Sequence, residues 1–208
     1  MRQARTNLAG VALPFALRSF FVMSSPYLEL LPVPAASAIN TGVDPCPTSL
    51  IERKFGLPIT GKLPADCAAP SAASVAWQKR FVLEDVGPFR VTGHKCAVAL
   101  LRTTLSAVKT EKPKLYTALS SAGMLCMRHV RGIPGLPSNH CFGLAIDFYI
   151  EGKLDRRGDG KTYAGLLELY SIFKRFGWFW GAEFPTEDAM HFEVGSRVVR
   201  DWIAKGVF

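Results

Sequence analysis

The sequence predicts an α+β fold, a small antiparallel sheet flanked by helices. Val98, Leu101, Leu105 and Val108 recur at helical spacing and predict a helix over about 97–109. Residues 144–150 alternate instead: Leu144, Ile146, Phe148 and Ile150 point one way, and Ala145, Asp147 and Tyr149 the other. Ala189 to Val194 repeats the alternation, with Met190, Phe192 and Val194 on its core face and His191 and Glu193 opposite. Helices first and strands later, with helical insertions, is the α+β order.

The remaining elements follow from punctuation. Lys112-Pro113 breaks the first helix, and Pro113 suits the first turn of a second one carrying Leu115 and Leu119. Gly123 to Met127 reads as a strand, and 132–137 as a loop stiffened by Pro134 and Pro137. The turn from Asp155 to Gly160 is rich in Gly and Asp, but its acidic spacing does not fit an EF-hand calcium loop. Leu166, Leu169, Tyr170, Phe173 and Phe176 mark a helix ending at Gly177. Trp178 to Trp180 forms a short strand, and a final helix spans about 197–204.

Residues 1–75 are rich in Ala, Pro and Ser without a sustained period, and read as a leader and linker that drapes over a domain of residues 76–208. Arg2 and Arg5 precede an apolar run from Leu8 to Leu17, and Ala36-Ser37-Ala38 follows. That order suits an export signal, although Pro14 and Arg18 interrupt the run. No stretch reaches the ~18 apolar residues of a membrane span, which argues against an integral membrane protein. Of five cysteines none forms a C-x-x-C pair; Cys46 and Cys67 are a candidate bridge in an oxidising compartment.

The net charge of +8 favours polyanionic surroundings such as nucleic acid, anionic lipid or a carboxylate-rich cell wall. The basic residues are dispersed and no nucleic-acid-binding motif accompanies them, so a solvated, positively biased surface is the better reading and no nucleic-acid partner is expected.

Two stretches carry the chemistry: Ser138 to Asp147, and Glu187 to Glu193. Together they offer two imidazoles, a carboxylate and further acids. A hydrolytic zinc site needs three protein ligands, a position open to water and a base. His140 and Asp147 are seven residues apart. On a straight strand they face opposite ways, and on a helix they lie ~10 Å apart. The chain must bend between them, and Gly143 permits the bend. If the last strand pairs beside 144–150, His191 reaches the same point. Asp188, near that strand's start, is placed to contact a metal-bound water. His129 is a rival third ligand, disfavoured by the neighbouring Arg128, whereas His94 suits a turn or helix cap. Cys141 adjoins His140 too closely for both to bind one ion. Arg128 and Arg131 lie just upstream, where a guanidinium can meet a substrate carboxylate or oxyanion.

At these residues the chain resembles the zinc D-alanyl-D-alanine carboxypeptidases and related L-alanyl-D-glutamate endopeptidases. Their pattern is Ser-x-His-x-x-Gly-x-Ala-x-Asp, followed later by an acid, two residues and His. Ser138, His140, Gly143, Ala145 and Asp147 fit the first part, and Asp188 and His191 the second. Trp178-Phe179-Trp180-Gly181 resembles the family's aromatic segment. The likeness covers about 80–208. It implies one zinc ion held by His140, Asp147 and His191, Asp188 as general base, and an antiparallel sheet beneath the metal. It implies Ser138 as an orienting hydrogen-bonding group. The family's arginine often lies farther upstream; in this chain Arg128 is the candidate catalytic arginine, with Arg131, Trp180 and Glu193 as candidate substrate-binding or supporting residues. The implied partners are peptidoglycan stem peptides, in the periplasm or extracellular cell wall. Removal of a terminal D-Ala is the first expectation. Cleavage of the L-Ala–D-Glu bond and a non-catalytic, peptide-binding zinc module are the alternatives.

Overall fold

The computed structural model describes residues 25–208; the apolar run at Leu8–Leu17 and the basic residues before it lie outside them. The chain runs through β1 (Leu30–Pro32), α1 (Thr48–Phe55), α2 (Val75–Gln78), β2 (Phe81–Asp85) and β3 (Arg90–His94). Next come α3 (Lys95–Glu111), α4 (Pro113–Ala118), β4 (Leu119–Gly123), β5 (His129–Val130) and β6 (Ile133–Pro137). It finishes with β7 (Ala145–Ile150), β8 (Lys153–Leu154), β9 (Lys161–Tyr163), α5 (Ala164–Phe173), β10 (Trp178–Trp180), β11 (His191–Val194) and α6 (Ser196–Ala204).

The central sheet has the order β10-β11-β7-β4, with β8 also pairing with β7, and every pairing is antiparallel. Cross-strand partners share a face, so the register fixes both surfaces. Trp178 pairs with Val194, Trp180 with Phe192, and Phe192 with Ile146. These side chains and Phe148 form the buried face. There Phe173 of α5 lies 5.4 Å from Phe148 and 5.0 Å from Phe192, centroid to centroid. Val98, Leu101, Leu105 and Val108 of α3 are all fully buried, as their spacing predicts. The Trp178 indole donates to Thr104 Oγ1 at 3.1 Å, tying α3 to β10.

The structure differs from the sequence reading in five places, the first being that Leu119, expected on the second helix, opens β4. The strand expected over 123–127 lies earlier, at β4, because Gly123 at φ +122° ends the pairing and Met124 and Met127 turn into the core. The expected loop at 132–137 contains β6, which among the described residues pairs only with β5; such an edge hairpin tolerates Pro134 and Pro137. Cys67 bridges Cys126, whereas Cys46 is buried and free. The segment before residue 76 does more than drape. Ile39, Cys46 and Ile51 enter the core, and Asn40 completes the edge of β10. Its side-chain oxygen accepts from the Trp180 amide and its Nδ2 donates to the Trp180 carbonyl, both at 2.9 Å.

The Cys67–Cys126 bridge spans 59 residues and fastens this segment to the chain behind His140. Closing a loop of that size stabilises a fold by about 2–4 kcal/mol. Replacing both cysteines with Ala should lower the unfolding free energy by about that amount in urea titrations.

Candidate metal centre and cleft

The open face of the sheet assembles the site. His191 stands directly opposite Asp147 in the β11–β7 pairing, and Glu193 opposite the small Ala145. His140 arrives from a different direction, on a 3-10 turn over Asn139–Phe142. Ser138 caps this turn, its hydroxyl accepting from the His140 amide at 3.3 Å. Gly143 ends it at φ +63°. A Cβ on Gly143 would lie 2.5 Å from the backbone nitrogen of His94, so glycine is required by both conformation and space. The His94 amide donates to the Gly143 carbonyl at 3.0 Å, while the His94 imidazole caps α3 by accepting from the Cys96 amide.

His140 Nε2, Asp147 Oδ1 and His191 Nδ1 converge, with separations of 3.1, 3.0 and 3.1 Å. Tetrahedral ligands at zinc distances of about 2.0–2.1 Å lie about 3.3–3.4 Å apart, so only a small adjustment admits the ion. The outer ring nitrogens fit the same reading. His140 Nδ1 lies 3.0 Å from the Met124 carbonyl, and His191 Nε2 lies 3.1 Å from Glu193 Oε2. When each imidazole donates its outer N–H to that oxygen, two nitrogen lone pairs and a carboxylate face one another. Three acceptors without a donor call for a cation.

The electrostatics agree. Burial alone would raise the Asp147 carboxyl, but the His140 and His191 imidazoles outweigh it and hold the group well below the usual carboxylate range. Burial would lower His191, yet its bonds to Asp147 and Glu193 push it up to about 10. Without a metal, a proton supplies the positive charge these groups attract. Cys46 and Cys141 are pushed up to about 12, chiefly by burial, which keeps both thiols neutral and weak as ligands. His129 stands apart from the ligand trio, its Nδ1 2.8 Å from the Val130 carbonyl.

A cleft of about 860 Å³ opens over the trio. Asp188, Arg128, Arg131 and Ser138 all line it. The Asp188 amide donates to the Gly181 carbonyl and its own carbonyl accepts from the His191 amide, both at 3.0 Å. Gly181 permits this close approach, since a Cβ there would meet the Asp188 carbonyl at 2.7 Å. Asp188 Oδ1 is buried without a partner among the described residues, and burial raises its pKa. Arg157, which the sequence leaves inside a Gly-rich turn, reaches the cleft and lies 3.4 Å from Asp188 Oδ2. Only the folded turn brings it there. Trp180 faces the core, fully buried, and its indole donates to the Ala189 carbonyl at 2.6 Å. It braces the approach to β11 and is not among the residues that line the cleft.

Residues 131–194 match the model of a family described as D-alanyl-D-alanine carboxypeptidase. This stretch contains the three converging side chains, Asp188 and Glu193, and ends with the last residue of β11. The match supports the resemblance seen in the sequence. No curated protein matches the chain significantly. Among the described residues, no helix is long and apolar enough to cross a membrane.

Two outcomes follow. Binding to the folded trio raises stability by mass action, so zinc at 100 times its Kd should add about 2.7 kcal/mol, measured as a higher unfolding temperature than in chelator. Asp155 supplies the second. It is buried beside the cleft, and burial together with Asp159, Glu187 and Asp188 raises its pKa from 3.8 to about 7. Between those values the folded protein holds a proton that the unfolded chain has lost. Its contribution to stability therefore falls as pH rises from 3.8 to about 7 and levels off above. Asp155→Asn should flatten this part of the stability–pH curve and leave the variant more stable than wild type at pH 8.

Proposed function

We propose that the protein is a zinc-dependent peptidase of peptidoglycan stem peptides, acting as a D-alanyl-D-alanine carboxypeptidase. The observation that carries the reading is the convergence of His140, Asp147 and His191 beneath an open cleft that also holds Asp188. The family match over the same residues supports it.

His140, Asp147 and His191 would hold the ion. Zinc, when bound, polarises the scissile carbonyl and acidifies an attacking water. The protein's own groups perform the rest. Asp188 Oδ1, without another partner among the described residues, accepts the proton lost from the water during attack and returns it to the departing amine nitrogen. Arg128 is the proposed carboxylate-binding group. Arg131 beside it strengthens the positive wall of the cleft, and burial with that neighbour lowers the Arg128 pKa from its ordinary value. Arg157 holds the far oxygen of Asp188 and so orients the base. Ser138 acts through the turn it caps. The substrate's carboxylates complement this arginine-lined cleft and the net charge of +8.

The Cys67–Cys126 bridge supports a place in the periplasm or the extracellular cell wall, where disulfides persist. Digestion of purified muropeptides followed by mass spectrometry tests the reading. The expected product is loss of one terminal D-Ala, abolished by chelator and restored by zinc. Asp188→Ala should retain zinc while lowering kcat by about 10²–10⁴-fold. Release at the L-Ala–D-Glu bond would identify an endopeptidase instead. Failure of the zinc-loaded protein to cleave any stem peptide would overturn the assignment.

A further inference from the structure

We infer that Glu193 is a positioning residue for the ligand His191, and that the main chain of Asp44–Cys46 locks it in place. The inference rests on the zinc reading above. Glu193 is only 4% exposed, yet it lines a cleft that also carries Arg128, Arg131 and Arg157. Its two oxygens are both engaged. Oε2 lies 3.1 Å from His191 Nε2, and Oε1 accepts the Cys46 amide at 3.2 Å.

The Cys46 peptide is itself fixed from the other side. Its carbonyl accepts Asn139 Nδ2 at 2.9 Å, one residue from the ligand His140. Two residues earlier, the Asp44 carbonyl accepts the Ser196 amide at 2.9 Å, just beyond the end of β11. A chain of contacts therefore runs from Asn139 through Cys46 and Glu193 to His191, joining the two ligand-bearing segments through Cys46, which belongs to neither.

Glu193 cannot relax away from this position. It sits on β11 between two strands, opposite Phe179 on β10 and Ala145 on β7. Ala145 provides the space in which a carboxylate can turn towards the imidazole two residues away. A carboxylate that receives the outer N–H of a ligating imidazole fixes the ring's rotation and strengthens the inner nitrogen as a donor to metal. Both oxygens of Glu193 are already engaged within the protein, whereas Asp188 Oδ1 has no partner among the described residues, which separates the two roles. The segment that precedes the matched residues 131–194 thereby becomes part of the metal centre.

Zinc affinity by competition with a chromophoric chelator, and the visible spectrum of the cobalt-loaded protein, test this in the full chain. Glu193→Gln should fold and weaken zinc binding by about 10–100-fold, and should shift the cobalt bands. In wild type, zinc loading should slow hydrogen exchange at the Cys46 amide at least ~10-fold as the chain of contacts tightens. A folded Glu193→Gln with wild-type affinity and an unchanged cobalt spectrum would overturn the inference. So would Cys46 exchange indifferent to zinc, a measurement that does not depend on the variant folding. Wild-type protein that takes up neither zinc nor cobalt overturns the metal reading itself, and this inference with it.

Discussion

The antiparallel pairing that sets His191 opposite Asp147 is the constraint on which the rest of the molecule depends. A slip of one residue between β11 and β7 would turn every side chain of one strand to the other face. The aromatic underside prevents it. Phe192, Trp178 and Trp180 are large and fully buried, and Phe173 and Thr104 hold them from the helices. The apolar packing that stabilises the sheet is thus also what aligns an imidazole and a carboxylate on its upper surface. The third side chain needs a separate device. Gly143 provides it, bending the chain so that His140 descends on the pair from the preceding turn.

The centre combines opposing charges at short range. Its floor gathers acceptors: two imidazole nitrogens and Asp147, with Glu193 behind one ring. Its walls carry Arg128, Arg131 and Arg157. A buried carboxylate is costly without a partner, so the floor is incomplete without positive charge, whether a proton or a metal ion. The arginines cannot supply that charge from the walls without abandoning the cleft. The division suits a site that holds a cation permanently and an anionic ligand transiently.

Much of this was legible in sequence because period-2 alternation is a local property. Residues 144–150 and 189–194 declare which side chains share a face, and the odd spacing of His140 and Asp147 demands a bend at Gly143. The His94 cap was likewise local. What sequence could not show depends on partners far along the chain. Trp178 and Trp180 must share a face, but only pairing with Val194 and Phe192 decides that it is the core face. Cys67 finds Cys126 across 59 residues, which no spacing rule specifies. Arg157 reaches Asp188 only after the turn is folded. Residues 39–46 contribute to the core through an irregular path, so Ile39 and Cys46 leave no periodic trace.

The central claim is that two imidazoles and one carboxylate hold a zinc ion, with no sulfur ligand. X-ray absorption at the zinc edge tests it most directly on the purified, zinc-loaded protein. The account predicts nitrogen and oxygen scatterers alone, at about 2.0–2.2 Å, with imidazole multiple scattering from two rings. A zinc–sulfur shell near ~2.3 Å would contradict it, placing a cysteine on the metal in spite of the burial that keeps Cys46 and Cys141 neutral.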